Sequence, residues 1–390
     1  MTSYCRYVGP AIAVTAALLS TTPVAHAENT AIAIGPYVYD VTSTSAKIRW
    51  ATLKPGATPE VTDADAATHD VYDFHEKELK DLKPGTANKY DVLGNGSPEG
   101  SGSVTTFPVD PQPFRFIAYG DTRTRSDVHQ RVVNRVIAER PLFVLQTGDL
   151  VSDGKKLPDW LTFLTINREL MRNTLYLPVL GNHERGGNMF FSLFRGSPNE
   201  RYKAEKIGDV LFLMLDSEGS NLTIDPDAPQ KYFADEKAWV EKTLNDNADV
   251  GFVFPYFHKP VISVMRKRQE EAKHQNELWG DIFERHGVQV VLQGHDHHYH
   301  HAYRGGTHYV TCAGGGAPLY DVDALQPETV KAVKVEHFDV QPGLQQDVAF
   351  ALRVGVSNRP GLIHGINVDY RAAEPLFQLP PQGWQQHHRR

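Results

Sequence analysis

The stretch Gln293-Gly294-His295-Asp296-His297 follows the apolar run Val288-Gln289-Val290-Val291-Leu292 and sets two imidazoles at i and i+2. In an extended segment, side chains two apart lie on one face. Both rings are therefore expected to enter the same space at the mouth of a buried strand. Two nitrogen donors so placed suit a metal cage. His298, His300 and His301 prolong the run, and taken alone the motif fits a solvated His-rich loop equally well. The rest of the chain has to decide.

Three other apolar strands end in the same way. Phe114 to Tyr119 leads into Gly120-Asp121, Leu142 to Thr147 into Gly148-Asp149, and Leu175 to Leu180 into Gly181-Asn182-His183-Glu184. Val210 to Asp216 forms a further strand, and Val250 to Phe257 delivers His258. Between these strands, apolar spacing predicts helices over 127–140, 159–172, 231–244 and 276–286. Such alternation gives a layered α/β domain, in which ligands collect where strands run out into loops. The strand-end set is Asp121, Asp149, Asn182, His258, His295 and His297. It mixes oxygen and imidazole donors, which suits a pair of divalent or mixed-valence ions such as iron, zinc or manganese better than calcium. Asp149, mid-set, is the obvious bridge. Two cations about 3.5–4 Å apart activate water and stabilise both oxygens of an in-line displacement. His183 is placed to protonate a departing alkoxide.

The ordered series Gly-Asp, Gly-Asp, Gly-Asn-His-Glu, strand-His and Gly-His-x-His resembles the calcineurin-like metallophosphoesterases. The β-rich segment in front makes it most similar to their purple acid phosphatase branch. The resemblance implies an αββα sandwich preceded by a small all-β, fibronectin type III-like sandwich. It implies a first metal held by Asp121, Asp149 and His297, and a second held by Asp149, Asn182, His258 and His295. Asn182 and His183 would meet the substrate phosphate, Asp149 and His183 would serve catalysis, and Glu184 would orient its neighbours from behind. Gly314 to Tyr320 matches a glycine-rich run often found after the last motif.

Two positions depart from that pattern. Purple acid phosphatases carry a tyrosine three residues after the bridging aspartate, where this chain has Ser152, so a colourless enzyme is expected. Other members place a histidine two residues after the first aspartate, where this chain has Arg123. A guanidinium does not ligate a metal. The first site is left with three identified protein ligands, and Asp153 is a candidate fourth. Arg123 and Arg125 would either grip substrate phosphate or form surface ion pairs.

The flanking segments carry no such cluster. Residues 1–27 have a basic start, an apolar middle and the ending Ala25-His26-Ala27. This is the pattern of a cleaved secretory leader, so a periplasmic or secreted chain is expected, with no stable membrane anchor. Residues 30–109 show short alternating strands, such as Ile48 and Trp50 against Lys47 and Arg49, with turn signals between them. Leu82-Lys83-Pro84-Gly85 before Tyr90 resembles the corner of fibronectin type III domains, although Asn88 stands where the tyrosine is usual. Val109 to Pro113 reads as a linker to a catalytic domain over 112–390, with further strands after 330 and a frayed tail from about 380. Formal net charge over the 390 residues is −7, which supplies no basic field for nucleic acid. Of the two cysteines, Cys5 lies in the leader and Cys312 is expected to be buried.

The function expected from all this is hydrolysis of small phosphomonoesters by a metal-activated water at a dinuclear centre. A phosphodiesterase or nucleotidase with the same metal core is the alternative within the class. A binding or adhesion protein with a degenerate metal domain is the alternative outside it.

Overall fold

A computed structural model describes residues 4–8, 31–57, 61–94, 97–109, 114–195, 200–219, 228–333, 351–354 and 366–369. The apolar and cleavage parts of the expected leader, the linker prolines and the C-terminal tail lie outside these residues.

Residues up to 109 build two small antiparallel sheets. One joins Ile32–Val41, Ala46–Leu53 and Tyr72–Leu79; the other joins Tyr4–Val8, Ala87–Gly94 and Ser97–Thr105. Alternation explains their contact, since Ile48 and Trp50 turn inward onto Tyr90, Val92 and Val104. A short helix, Ala64–Asp70, was not expected from the sequence. Asp63 caps it by accepting from the Ala66 N–H at 2.8 Å. His69 lies in the last turn of this helix. His75 lies in the strand Tyr72–Leu79, where it meets Thr52 Oγ1 at 2.9 Å and stacks on Trp50. The Tyr90 hydroxyl donates to the Arg172 carbonyl at 2.7 Å and so ties this domain to the next one.

The second domain has four layers. Phe116–Tyr119, Phe143–Gln146 and Leu175–Pro178 form a parallel three-stranded sheet. A seven-stranded sheet follows the order Lys203–Ile207, Val210–Met214, Phe252–Tyr256, Val290–Gln293, Thr307–Cys312, Tyr299–Arg304 and Thr329–Val333. Four of its five inner strands, Val210–Met214, Phe252–Tyr256, Val290–Gln293 and Thr307–Cys312, are parallel neighbours. Each strand of the first sheet is buried throughout, and its successive residues serve opposite faces. Phe116, Ala118, Phe143 and Leu145 pack inward against Phe212, Phe254 and Leu292 of the second sheet. Ile117, Tyr119 and Val144 pack outward onto Val133, Val136 and Trp160 of the helices Ser126–Glu139 and Leu157–Met171. The second sheet sends Leu211, Leu213, Val253 and Val291 outward onto Val240, Trp279 and Phe283. This is the expected αββα sandwich. Edge-to-face rings of Phe116 and Phe143 on Phe212, with centroids 5.2 and 5.1 Å apart, knit the two sheets.

Parallel pairing has a functional consequence. Every strand in a parallel set ends on the same side, so the loops after residues 119, 146, 178, 256 and 293 open toward one region. No helix among the described residues is long and apolar enough to cross a membrane.

Candidate metal centre

The backbone at the strand ends is unusual in a consistent way. Asp121, Asp149 and His295 have φ of 58°, 57° and 69°. These are left-handed values that non-glycine residues adopt at a cost and that cluster at functional sites. The turns lock one another in place. Asp121 N–H donates to Gly148 O at 3.0 Å, Thr122 N–H to Asp149 O at 3.0 Å, and His295 N–H to Asp121 Oδ2 at 3.0 Å. Gly148 is needed twice over, for its φ of +94° and because a Cβ there would lie 2.6 Å from His258 Nδ1. The glycine-rich run after the last motif also gains a structural role. Gly315 and Gly316 lie against the carbonyls of Gly120 and Thr122, where any side chain would collide at 2.5 Å. Gly315 N–H donates to Gly120 O and Ala317 N–H to Asp121 O, at 2.9 and 2.8 Å.

All six expected donors converge, and all but the half-buried Asn182 are buried. They fall into two groups that share Asp149. In the first, Asp121, Asp149 and His297 place one ligand atom each within 4.8 Å of one another, with His297 Nε2 at 3.3 Å from Asp121 Oδ1. In the second, His258 Nε2 lies 3.3 Å from Asp149 Oδ1, 3.2 Å from Asn182 Oδ1 and 3.0 Å from His295 Nδ1. The expectation that His295 and His297 share one face of an extended segment is not met. Residues 295–298 form a bend, and it sends the two rings into different groups. Asp296 between them turns aside and accepts from Ser263 Oγ at 2.5 Å.

The tautomers follow from the far side of each ring. His258 Nδ1–H donates to Thr147 O at 2.7 Å, and His297 Nδ1–H to Pro318 O at 2.7 Å. His183 Nδ1–H donates to Ser152 O at 2.5 Å. His295 Nε2 lies 2.9 Å from Glu271 Oε2, which favours a proton on that nitrogen, and also meets an Arg268 N–H, which opposes one. The rings of His258, His297 and His183 thus keep their remaining lone pair for the interior, which is the arrangement that backs metal-binding histidines. Glu184 supports the centre from behind, accepting from the N–H groups of Asp149, Leu150 and Gly181 at 3.0, 2.7 and 2.6 Å.

The donor set fits a cation. Ring nitrogens of His258 and His295 face each other at 3.0 Å, and Asp121 Oδ1 is buried without a hydrogen-bond partner. Buried acceptors so opposed need a proton or a metal between them. The charge pattern agrees. Burial pushes the Asp121 carboxyl well above its usual range, helped by Asp149 and opposed by His258. Burial acts on Asp149 too, but His258 and His183 overcome it and hold that carboxyl at about 2. Burial lowers His258, yet Asp149 and Asp121 outweigh it and raise the ring. These shifts favour a proton on Asp121 and on His258, the charges a cation would replace.

Other expectations are corrected here. Asp153 is not part of either group; it pairs with Arg185 at 3.0 Å. Arg125 does not face the site, because its guanidinium is spent on the carbonyls of Gly316 and Ala317 at 3.1 and 2.8 Å. His298, His300 and His301 are not solvated: each is 1% exposed, and the last two lie in the interior strand Tyr299–Arg304. Glu271, on the helix Gln269–Gln275, was missed altogether. It belongs to no motif, and only the fold brings it to His295. Lys259 holds its other oxygen at 3.3 Å and reaches Glu218 at 3.1 Å.

Comparison with known proteins agrees with this geometry. The calcineurin-like phosphoesterase family profile matches residues 114–299. That segment is a calcineurin-like phosphoesterase domain. Purple acid phosphatase PPD1 from yellow lupin, Lupinus luteus, has a similar structure: the TM-score is 0.60 at 16% identity, over 79% of this chain and 69% of that one. A structure of PhoD gives a TM-score of 0.55 at 8% identity, over 75% of this chain and 79% of that one. Both likenesses concern the fold. The uncharacterized protein Rv2577 of Mycobacterium tuberculosis is 21% identical over 277 residues, 60% of this chain and 52% of that protein. This chain thus spans about half the length of the curated relatives it matches.

Proposed function

We propose that this protein is a metal-dependent phosphatase of small phosphomonoesters, with a dinuclear centre bridged by Asp149. The observation that carries the reading is the split of the donors into two groups around that one carboxylate. Bound cations supply Lewis acidity toward phosphate oxygens and lower the pKa of an attacking water. Asp121, Asp149 and His297 would hold the first, and Asp149, Asn182, His258 and His295 the second. Asn182 and His183 are the half-buried members of the set and are placed to meet a phosphate arriving from solvent. His183 Nε2 lies 3.8 Å from Asp149 Oδ2, so its free nitrogen borders the bridge. When protonated on that nitrogen, it would deliver a proton to the leaving alkoxide and return to the neutral ring. Glu184 orients both turns and touches no substrate. The leader pattern supports export to the periplasm or beyond.

Hydrolysis of p-nitrophenyl phosphate and of its bis ester, after metal removal and after adding back iron, zinc and manganese separately, tests the proposal. Monoester turnover restored by metal is the expected result. A strong preference for the bis ester would favour a phosphodiesterase instead. A chain that takes up no metal would leave a binding protein.

A further inference from the structure

Arg123 stands where a further ligand to the first cation is common in this class, and its guanidinium does not face solvent. It is only 14% exposed. Nε donates to Asp149 Oδ2 at 3.3 Å and Nη2 to His297 Nε2 at 3.4 Å, while Nη1 reaches Thr124 Oγ1 at 3.2 Å. Since His297 Nδ1–H is committed to Pro318 O, Nε2 is an acceptor and the Arg123 contact is a real donor–acceptor pair. The guanidinium thus covers two lone pairs assigned to the first cation. The third, on Asp121 Oδ1, is the buried oxygen left without a partner. In the second group Asp149 Oδ1 accepts from the His183 N–H at 3.0 Å, and the remaining ligand atoms face one another, with no cationic side chain among the described residues placed between them.

We propose that Arg123 is a built-in competitor for the first cation, so that the two metal positions fill unequally and in a fixed order. The proposal rests on the reading of this centre as dinuclear. With the first position empty of metal, the fixed positive charge of Arg123 neutralises Asp149 in its place. When a cation enters there, two positive charges cannot share the same oxygen in a buried site, and Arg123 must give way. Space for that exists. A cavity of about 140 Å³ adjoins Arg123, lined by Thr124, Ser126, Ser152, Asp159 and Thr162 over the apolar floor of Phe163. Ser152, the position where the related phosphatases carry a tyrosine, forms part of its wall. An Arg123 so displaced keeps its charge beside the centre, where it is free to meet a phosphate oxygen.

Calorimetric titration of the metal-free full chain with Zn²⁺ or Mn²⁺ tests this, with bound metal counted by elemental analysis. The wild type is expected to show one tight step and one at least about tenfold weaker. R123Q should strengthen the weak step by about tenfold, since each 1.4 kcal/mol removed from the competition is one decade. The tight step should stay unchanged, and R123K should fall between the two. D121N should abolish the weak step and so assign it to the first position. Two equal steps in the wild type, or a weak step indifferent to R123Q, would overturn the proposal while leaving the dinuclear reading intact. A chain that binds no metal would bring down that reading and the proposal together.

Discussion

His258 Nε2 and His295 Nδ1 face each other across 3.0 Å, and His258 has already committed its other nitrogen as a donor to Thr147 O. One proton must sit between them when no metal does. A second is favoured on Asp121, whose carboxyl burial raises well above the ordinary range. Metal uptake at pH 7 is thus expected to expel about one to two protons per chain. Titration calorimetry in buffers of differing ionisation enthalpy measures that number. H258Q should lower it by about one, and a count near zero would contradict this arrangement.

Glu271 fixes the orientation of His295 from outside the ligand set. E271Q keeps the size and removes the charge, so it should weaken metal binding by about 10–100-fold, the usual cost of losing such support. The folded stability of the metal-free chain should change little, because Glu271 is only half-buried at its helix. Unchanged metal affinity in E271Q would reduce the Glu271 contact to packing.

His183 shares no ligand atom with either group. H183A is expected to retain its full metal content and lose about 10²–10⁴ in rate. The loss should be largest on alkyl phosphates, whose leaving groups need a proton, and smallest on p-nitrophenyl phosphate. Equal loss on both substrates would remove the acid role.

His129 makes a prediction about stability rather than turnover. It lies in the helix Ser126–Glu139, is 2% exposed, and meets Asn167 Nδ2 at 3.2 Å. Burial lowers its pKa from 6.5 to about 3. Between those values the unfolded chain binds more protons than the folded one, so stability falls as pH falls through the window and is fully present above 6.5. At pH 5 the loss from this one ring amounts to about 2 kcal/mol relative to pH 7. Urea unfolding of wild type and H129Q at both pH values should show the smaller acid loss in the variant.

The sequence announced the clustered donors because each follows an apolar strand, and strand ends in a parallel sheet have nowhere else to point. Asp121, Asp149, Asn182, His258, His295 and His297 are legible for that reason. Glu271 is not, since a carboxylate on an amphipathic helix looks like any solvated one until tertiary packing aims it. The histidines after His297 misled for the opposite reason. A polar run suggests exposure, but the strand Tyr299–Arg304 lies between two neighbours, Thr307–Cys312 and Thr329–Val333, and its first four residues are buried on both faces. The long helix expected over 276–286 in fact begins at Gln269 and changes pitch at Asn276–Gly280, which apolar spacing alone does not encode. The placement of Arg123 was open as well, because the residue type excludes ligation without saying which anion the charge will meet.

Gly315 and Gly316 rest on the main chain of Gly120 and Thr122, almost two hundred positions upstream. A chain leaving the ribosome cannot complete the turn bearing Asp121 until those late glycines have emerged and docked. A proteolytic fragment that stops short of residue 315 would keep all five motifs in its sequence and still lack the hydrogen bonds from Gly315 to Gly120 and from Ala317 to Asp121 that hold this turn.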